Sequence, residues 1–411
     1  MKKITHLFLM MLGIVALSSC NSDFSSSNDG QSLTDSSTSV ETSETTSAGS
    51  DETSSSSTTI EYQRTSYSNP LNFYKLNGEK YFVTAADPFV LRGDDGYWYL
   101  YITNAQCEMG TKGMIFDRGP IFRSKNLVDW RWYSSVFENS PDAANWGNSE
   151  AGVWGPTVIK INDNQYNYYY SLSSWGDSNP GIGVATSPTP YGPWTHYGKL
   201  LDQQMSGVVN GIDPFVTFDD EGQLWIIWGS FNGIAATLLT DDGTELFYGN
   251  LVKDHLVWLV ENNQKEGKGF DININYEGAF VLKKDDEYFF MGSQGTCLAG
   301  SNSTYTVRVG KSSSLFGPYL GKDGQDMNHG TEGEVVVQPS DAVAGTGHNA
   351  VIQDYAGDYW LIYHGFDNFG SDSQERSLFM DKILWDAQGY PYILNRNASV
   401  RINNEGPLTI K

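Results

Sequence analysis

Five stretches of the chain repeat one pattern of apolar and polar positions. They are "ADPFVLRGDDGYWYLYITNA" (86–105), "WGPTVIKINDNQYNYYYSLSS" (154–174), "IDPFVTFDDEGQLWIIWGSF" (212–231), "YEGAFVLKKDDEYFFMGSQG" (276–295) and "GHNAVIQDYAGDYWLIYHGF" (347–366). Each opens on small or polar residues and runs through a short apolar strand. It then turns at Asp, Asn or Gly and returns through a strand dense in Tyr, Trp and Phe. Alternation bounded by turn residues predicts a β-hairpin. Aligned on Pro88, Pro156, Pro214, Ala279 and Asn349, the copies stand 68, 58, 65 and 70 residues apart. Each interval has room for the hairpin and two more strands, and "GPW" (192–194) and "GPY" (317–319) mark similar late turns. Five sheet-sized repeats predict an all-β, five-bladed β-propeller, in which the first strand of each repeat lines the central channel.

The residue just before each aligned position then sits at one height in every blade. Those slots hold Asp87, Gly155, Asp213, Gly278 (preceded by Glu277) and His348. A single Asp-Pro is an ordinary turn signal. A repeat that keeps the strand and varies its polar tip is different, because repetition dictates where each tip points. Three carboxylates and one imidazole are expected to converge on the axis.

The N-terminus follows other rules. Lys2 and Lys3 precede an apolar run, "LFLMMLGIVAL" (7–17), too short to span a bilayer as a mature helix. The "LSSC" that ends at Cys20 resembles the bacterial lipoprotein box. That resemblance implies a signal peptide over 1–20, lipidation of Cys20 and a lipid-anchored protein at the bacterial cell surface. Residues 21–65 are rich in Ser and Thr. Up to Ile60 they carry Asp23, Asp29, Asp35, Glu41, Glu44, Asp51 and Glu52 without one Lys or Arg. Such a stretch cannot bury enough apolar surface to fold and reads as a disordered tether. The propeller domain is expected over 66–411.

Composition narrows the chemistry. A net charge of −23 repels nucleic acid and anionic membrane surfaces. With Cys20 lipidated, Cys107 and Cys297 remain, and two cysteines make no disulfide framework. There is no Gly-rich phosphate loop, no Cys/His cluster at zinc spacing and no G-x-S-x-G elbow. Converging carboxylates suit glycosidic bond cleavage, which needs one ionised and one protonated carboxyl group. A third acid raises the proton donor's pKa by like-charge repulsion. The aromatic surplus suits sugar faces. His348, in "GHN", is a candidate neighbour of a hydrated cation on the axis.

The sequence resembles glycoside hydrolase family 43, and within it the endo-α-1,5-L-arabinanases, over about residues 75–400. The stretches that carry the resemblance are "GVWGPTV" (152–158), "GIGVATSP" (181–188), "NGIDPFVTFDDEGQLWIIWGSF" (210–231), "NSTYTVRVGKSSSLFGPYLGKDGQDM" (302–327) and "GTGHNAV" (345–351). The resemblance implies inverting hydrolysis of arabinan or its oligosaccharides. Asp87 is then the general base, Glu277 the general acid and Asp213 the carboxylate that tunes and orients the acid. It implies substrate contacts at Trp154, Gly176, Asn210, Gly211, Ile212, Ser230, Phe231 and Asn232. It also implies a calcium ion beside His348, held mostly by water, with no organic cofactor. A monomer is expected. The chain departs from the family pattern at Thr157 ("VWGPT" for "VWAPD"), at Thr346 ("GTGHN" for "GPGHN") and at Asn232, where the family often has Trp. These changes bear on substrate preference and leave the three acids in place.

Other readings stay open at this point. An exo-acting α-L-arabinofuranosidase or a β-xylosidase would use the same three acids. A surface glycan-binding propeller without catalysis would keep the aromatics and have no need of the acids. Five-bladed fructosidases are a poorer match, because Ile212 rather than Arg precedes Asp213 and Gly278 rather than Cys follows Glu277.

Overall fold

The computed structural model describes residues 60–109, 112–139, 141, 146, 151–260, 276–328, 331–369, 374–400 and 402–411. Signal peptide 1–20, with Cys20, and the tether up to residue 59 lie outside the described residues. Five sheets follow one another along the chain, all antiparallel except that Asn72–Tyr74 pairs parallel with Asp129–Ser135 in the first. Their inner strands are Phe89–Arg92, Gly152–Asn162, Phe215–Phe218, Tyr276–Lys284 and Val343–Gln353. Each pairs with the aromatic strand that follows it: Trp98–Tyr101, Gln165–Ser173, Leu224–Trp228, Glu287–Gln294 and Tyr359–Asp367. Two further strands complete each sheet, and the first sheet gains Asn72–Tyr74 and Lys80–Tyr81 at its outer edge. Every inner strand lies beside the next, and the fifth lies beside the first. The sheets thus close into the expected five-bladed propeller.

The aromatic strands carry large apolar side chains on both faces because both of their faces are buried. Side chains alternate along a strand. Tyr99 and Tyr101 of the first blade pack with Tyr168 and Tyr170 of the second, while Trp98 and Leu100 pack with Trp360 and Ile362 of the fifth. Tyr169, on the opposite face from Tyr168, joins Ile226 and Trp228 of the third blade. Each strand therefore serves two interfaces between blades, which explains why its sequence does not alternate with polar residues.

Closure adds contacts that the repeat does not contain. Tyr62–Arg64 pairs antiparallel with Leu408–Ile410. Arg64 reaches Asp354 at 3.7 Å, Asp358 at 3.7 Å and Glu405 at 2.9 Å. The folded unit therefore begins before residue 66, and the expected tether boundary at 65 is too late. A three-residue strand whose partner lies at the other end of the chain leaves no periodicity to read.

The five slots share a backbone conformation. Asp87, Gly155, Asp213, Gly278 and His348 have φ of +54°, +48°, +60°, +58° and +49°. The left-handed region is unfavourable for residues with a side chain, so three non-glycine residues there mark a position held by the surrounding fold. The ladders of the second, fourth and fifth blades break register at the slot, as a bulge that re-aims a side chain does.

Candidate active site

The slot N–H groups are received by side chains. That of Gly155 donates to Thr103 Oγ1 (3.0 Å), that of Asp213 to Ser171 Oγ (2.8 Å) and that of His348 to Ser293 Oγ (2.8 Å). That of Asp87 donates to His364 Nδ1 (3.1 Å), across the seam between the fifth and first blades. Each acceptor lies at or just beyond the aromatic strand of the preceding blade. In the third blade Gly229 follows Trp228 as Ser171 follows Tyr170, so no side chain is available there. The Gly278 N–H instead meets the Asp213 carboxylate. The polar tips are thus aimed by a head-to-tail chain of caps around the propeller.

Two slots are glycine because the acids and the histidine fill the space. A Cβ on Gly155 would come within 2.6 Å of Asp213 Oδ1, and one on Gly278 within 2.9 Å of the His348 imidazole.

Asp87, Asp213 and Glu277 line one cavity of about 880 Å³ with His348 and Arg376. Their surroundings differ. Asp87 Oδ2 accepts from Thr103 Oγ1 (2.5 Å), while Oδ1 lies 3.4 Å from Arg376 Nη1 and 3.3 Å from His348 Nδ1. Burial alone would raise this carboxyl's pKa. Arg376 and His348 outweigh burial and hold it well below the usual carboxylate range. His348 is disfavoured as a cation by burial, yet Asp87, Asp213 and Glu277 push it up to about 9. His364 Nδ1 also lies 3.3 Å from Asp87 Oδ1. Burial lowers His364 to about 4, so this ring is neutral and its Nδ1 accepts the Asp87 N–H.

The other two acids are pushed the opposite way. Burial raises Asp213 to about 7, with Glu277 and Asp87 adding repulsion against the pull of His348. Burial also raises Glu277, although hydroxyl donors oppose it: Ser230 Oγ at 2.6 Å on Oε2 and Tyr305 OH at 2.8 Å on Oε1. Desolvation and repulsion leave a shared proton on this pair near neutrality. Cys297 borders Glu277, and its thiol is raised by burial and by that carboxyl. Cys297 and Cys107 are both free.

Of the residues expected to contact substrate, Trp154, Gly176, Asn210, Ile212, Ser230 and Phe231 line the cavity. Gly211 and Asn232 do not. Gly211 packs against Trp228, and Asn232 Nδ2 turns back to Ser230 O at 3.3 Å. The wall also includes three exposed apolar side chains outside the motifs, Phe116, Trp175 and Leu298, from the first, second and fourth blades. Trp175 is 78% exposed, its ring centroid lies 5.6 Å from that of Trp154, and it immediately precedes Gly176 in "SSWG". That adjacency was the available signal.

The residues present do not build a protein cage for the expected axial calcium. Among the described residues no group of three or more His, Cys, Asp or Glu side chains has metal-holding geometry. A hard cation prefers several oxygens, and His348 directs Nδ1 toward Asp87.

Comparison with known proteins agrees with this architecture. The family described as glycosyl hydrolases family 43 matches residues 81–391. An extracellular exo-α-(1→5)-L-arabinofuranosidase of Cellvibrio japonicus is 29% identical over 327 residues, covering 76% of this chain and 86% of that protein. An extracellular endo-α-(1→5)-L-arabinanase of Bacillus subtilis is 28% identical over 313 residues, covering 74% and 86%. The solved structure of a Cellvibrio cellulosa α-L-arabinanase complexed with arabinohexaose superposes with a TM-score of 0.62 at 26% identity, over 76% of this chain and 96% of that one. With the family match spanning all five blades, the chain belongs to the glycosyl hydrolases of family 43.

Proposed function

We propose that this protein is an inverting endo-hydrolase of α-1,5-linked L-arabinan, with Asp87 as general base, Glu277 as general acid and Asp213 as the acid's modulator. The observation that carries the reading is one hollow lined by three carboxyl groups in opposed environments, Asp213 and Glu277 buried and Asp87 partly so. Arg376 and His348 keep Asp87 ionised, while burial and mutual repulsion keep a proton on the other pair. Asp87 takes a proton from a water molecule whose oxygen attacks the anomeric carbon. Glu277 gives its proton to the departing glycosidic oxygen on the other face. Trp154, Trp175 and Phe231 offer apolar faces to the sugars. The relatives' names support arabinan as the polymer.

The test is incubation with debranched linear arabinan, branched arabinan and xylan, with products resolved by size and the nascent anomer read by NMR. A ladder of oligosaccharides with inverted anomers is expected. A single small product from the first minutes would favour the exo reading, for which the exo-acting relative at 29% identity speaks. A retained anomer would overturn the mechanism.

Asp213→Asn separates stability from function. The native Asp213 pKa of about 7 lies above the unfolded value of about 3.9. The folded state therefore binds more protons between those values, and this group's contribution to stability is lost as pH rises toward 7. Thermal melts should show the variant more stable than wild type at pH 8, with the difference vanishing near pH 4. The alkaline limb of its activity should move to lower pH, because Glu277 has lost a repelling neighbour.

Export and lipid anchoring through Cys20 belong to the same reading, and both relatives are named extracellular. Cys20→Ser should move arabinan-cleaving activity from the membrane fraction to the soluble one. Activity that stays with the membrane refutes the anchor.

A further inference from the structure

Both oxygens of Glu277 are held, but by unlike partners. Ser230 Oγ, on the cavity wall, donates to Oε2 at 2.6 Å and itself accepts from Asn210 Nδ2 at 2.9 Å. Tyr305 lies outside the cavity lining and is 1% exposed. Its hydroxyl donates to Oε1 at 2.8 Å. Its ring stacks on His364, with centroids 5.7 Å apart and planes 13° from parallel, and His364 in turn receives the Asp87 N–H. The space for that ring is written into the sequence at Gly347, where a Cβ would come within 2.0 Å of Tyr305 Cδ1.

We propose that Tyr305 is a positioning residue for Glu277: it claims Oε1 as an acceptor, so that the transferable proton resides on Oε2, the oxygen beside the cavity-lining Ser230. This rests on the assignment of Glu277 as general acid. The physical reason is donor accounting. A phenol buried away from water needs an acceptor for its O–H. If Oε1 carried the acid's proton, two hydrogens would face one another and one would be orphaned, at about 1–3 kcal/mol for a buried donor. With the proton on Oε2, the phenol keeps its acceptor. Ser230 is as buried as Tyr305, but its hydroxyl lines the cavity and rotates freely about one bond, so it turns from donor to acceptor of the Oε2 proton until the leaving oxygen takes its place. The same ring, stacked on His364, keeps the acid in register with the strand that presents Asp87.

Tyr305→Phe keeps the ring, the stacking and the fit against Gly347, and removes only the hydroxyl. On linear arabinan kcat should fall about 10–100-fold, part of the contribution of a positioned acid, with KM within about twofold of wild type. Across aryl α-L-arabino-oligosaccharides the loss should grow with leaving-group pKa and nearly vanish for dinitrophenolate. In a Glu277→Gln background the substitution should cost nothing further, because the hydroxyl acts through that carboxyl. Equal loss for every leaving group, additive loss in the Glu277→Gln background or unchanged turnover would each overturn the assignment. Wild type inactive on arabinan would instead defeat the proposed function and leave the hydrogen-bond assignment to be read from the aryl substrates.

Discussion

Glu277→Gln should lower turnover of linear arabinan by about 10²–10⁴-fold, the usual range for a positioned acid, with little change in the melting temperature. The amide replaces a buried carboxyl of similar shape, and its oxygen can still accept from Tyr305 or Ser230. It has no proton to give to a sugar alkoxide. Substrates whose leaving group needs no protonation should therefore keep most of their rate. The check is a series of aryl arabino-oligosaccharides, with wild type and variant compared at pH 6–7. Uniform loss across the series would remove Glu277 from the acid's role. Full activity on arabinan would remove it from the mechanism.

Asp87→Asn should be as damaging to catalysis, about 10²–10⁴-fold, and unlike Glu277→Gln it should also cost stability. Asp87 is the counter-ion of Arg376 and His348, and breaking a buried pair from one side typically costs about 3–5 kcal/mol. Its native pKa is depressed below the unfolded value. The stabilisation is therefore present above about pH 4 and lost as pH falls through the native pKa. Thermal melts should show wild type well above the variant at pH 7, with the gap narrowing as pH falls below about 4. This is the reverse of the trend expected for Asp213→Asn, although both changes neutralise an aspartate in one hollow. A variant as stable as wild type at pH 7 would mean that the two cations do not depend on Asp87.

The contrast between the two aspartates shows where a repeat stops being informative. Asp87 and Asp213 sit in the same "DPFV" context, at matching slots with φ of +54° and +60°. The local sequence predicts equal roles for them. What separates them is Arg376, which precedes Ser377–Trp385 in the fifth blade and reaches only Asp87. Arg376 falls in no repeated motif, and no spacing rule would find it. Tyr305 and His364 are similar. Each lies at or beside a strand whose pattern reads as core; Tyr305 meets Glu277 within the fourth blade, and His364 meets Asp87 only when the fifth blade closes on the first.

Taken alone, the sequence determined the hairpin repeat, the number of blades and the five positions whose tips face the axis. Those follow from turn chemistry and strand alternation, which act over a few residues and are written afresh in every copy. Part of the cavity wall was also legible, because Trp154, Asn210 and Ile212 stand close to those tips along the chain. Which acid is kept ionised and which hydroxyls hold Glu277 follow only from the folded ring. So does the pairing that joins Tyr62–Arg64 to the fold. Each of these depends on groups brought together across tens to hundreds of residues by blade packing and ring closure. Charge and hydrogen bonding act through space, whereas the signals along a sequence act through neighbours.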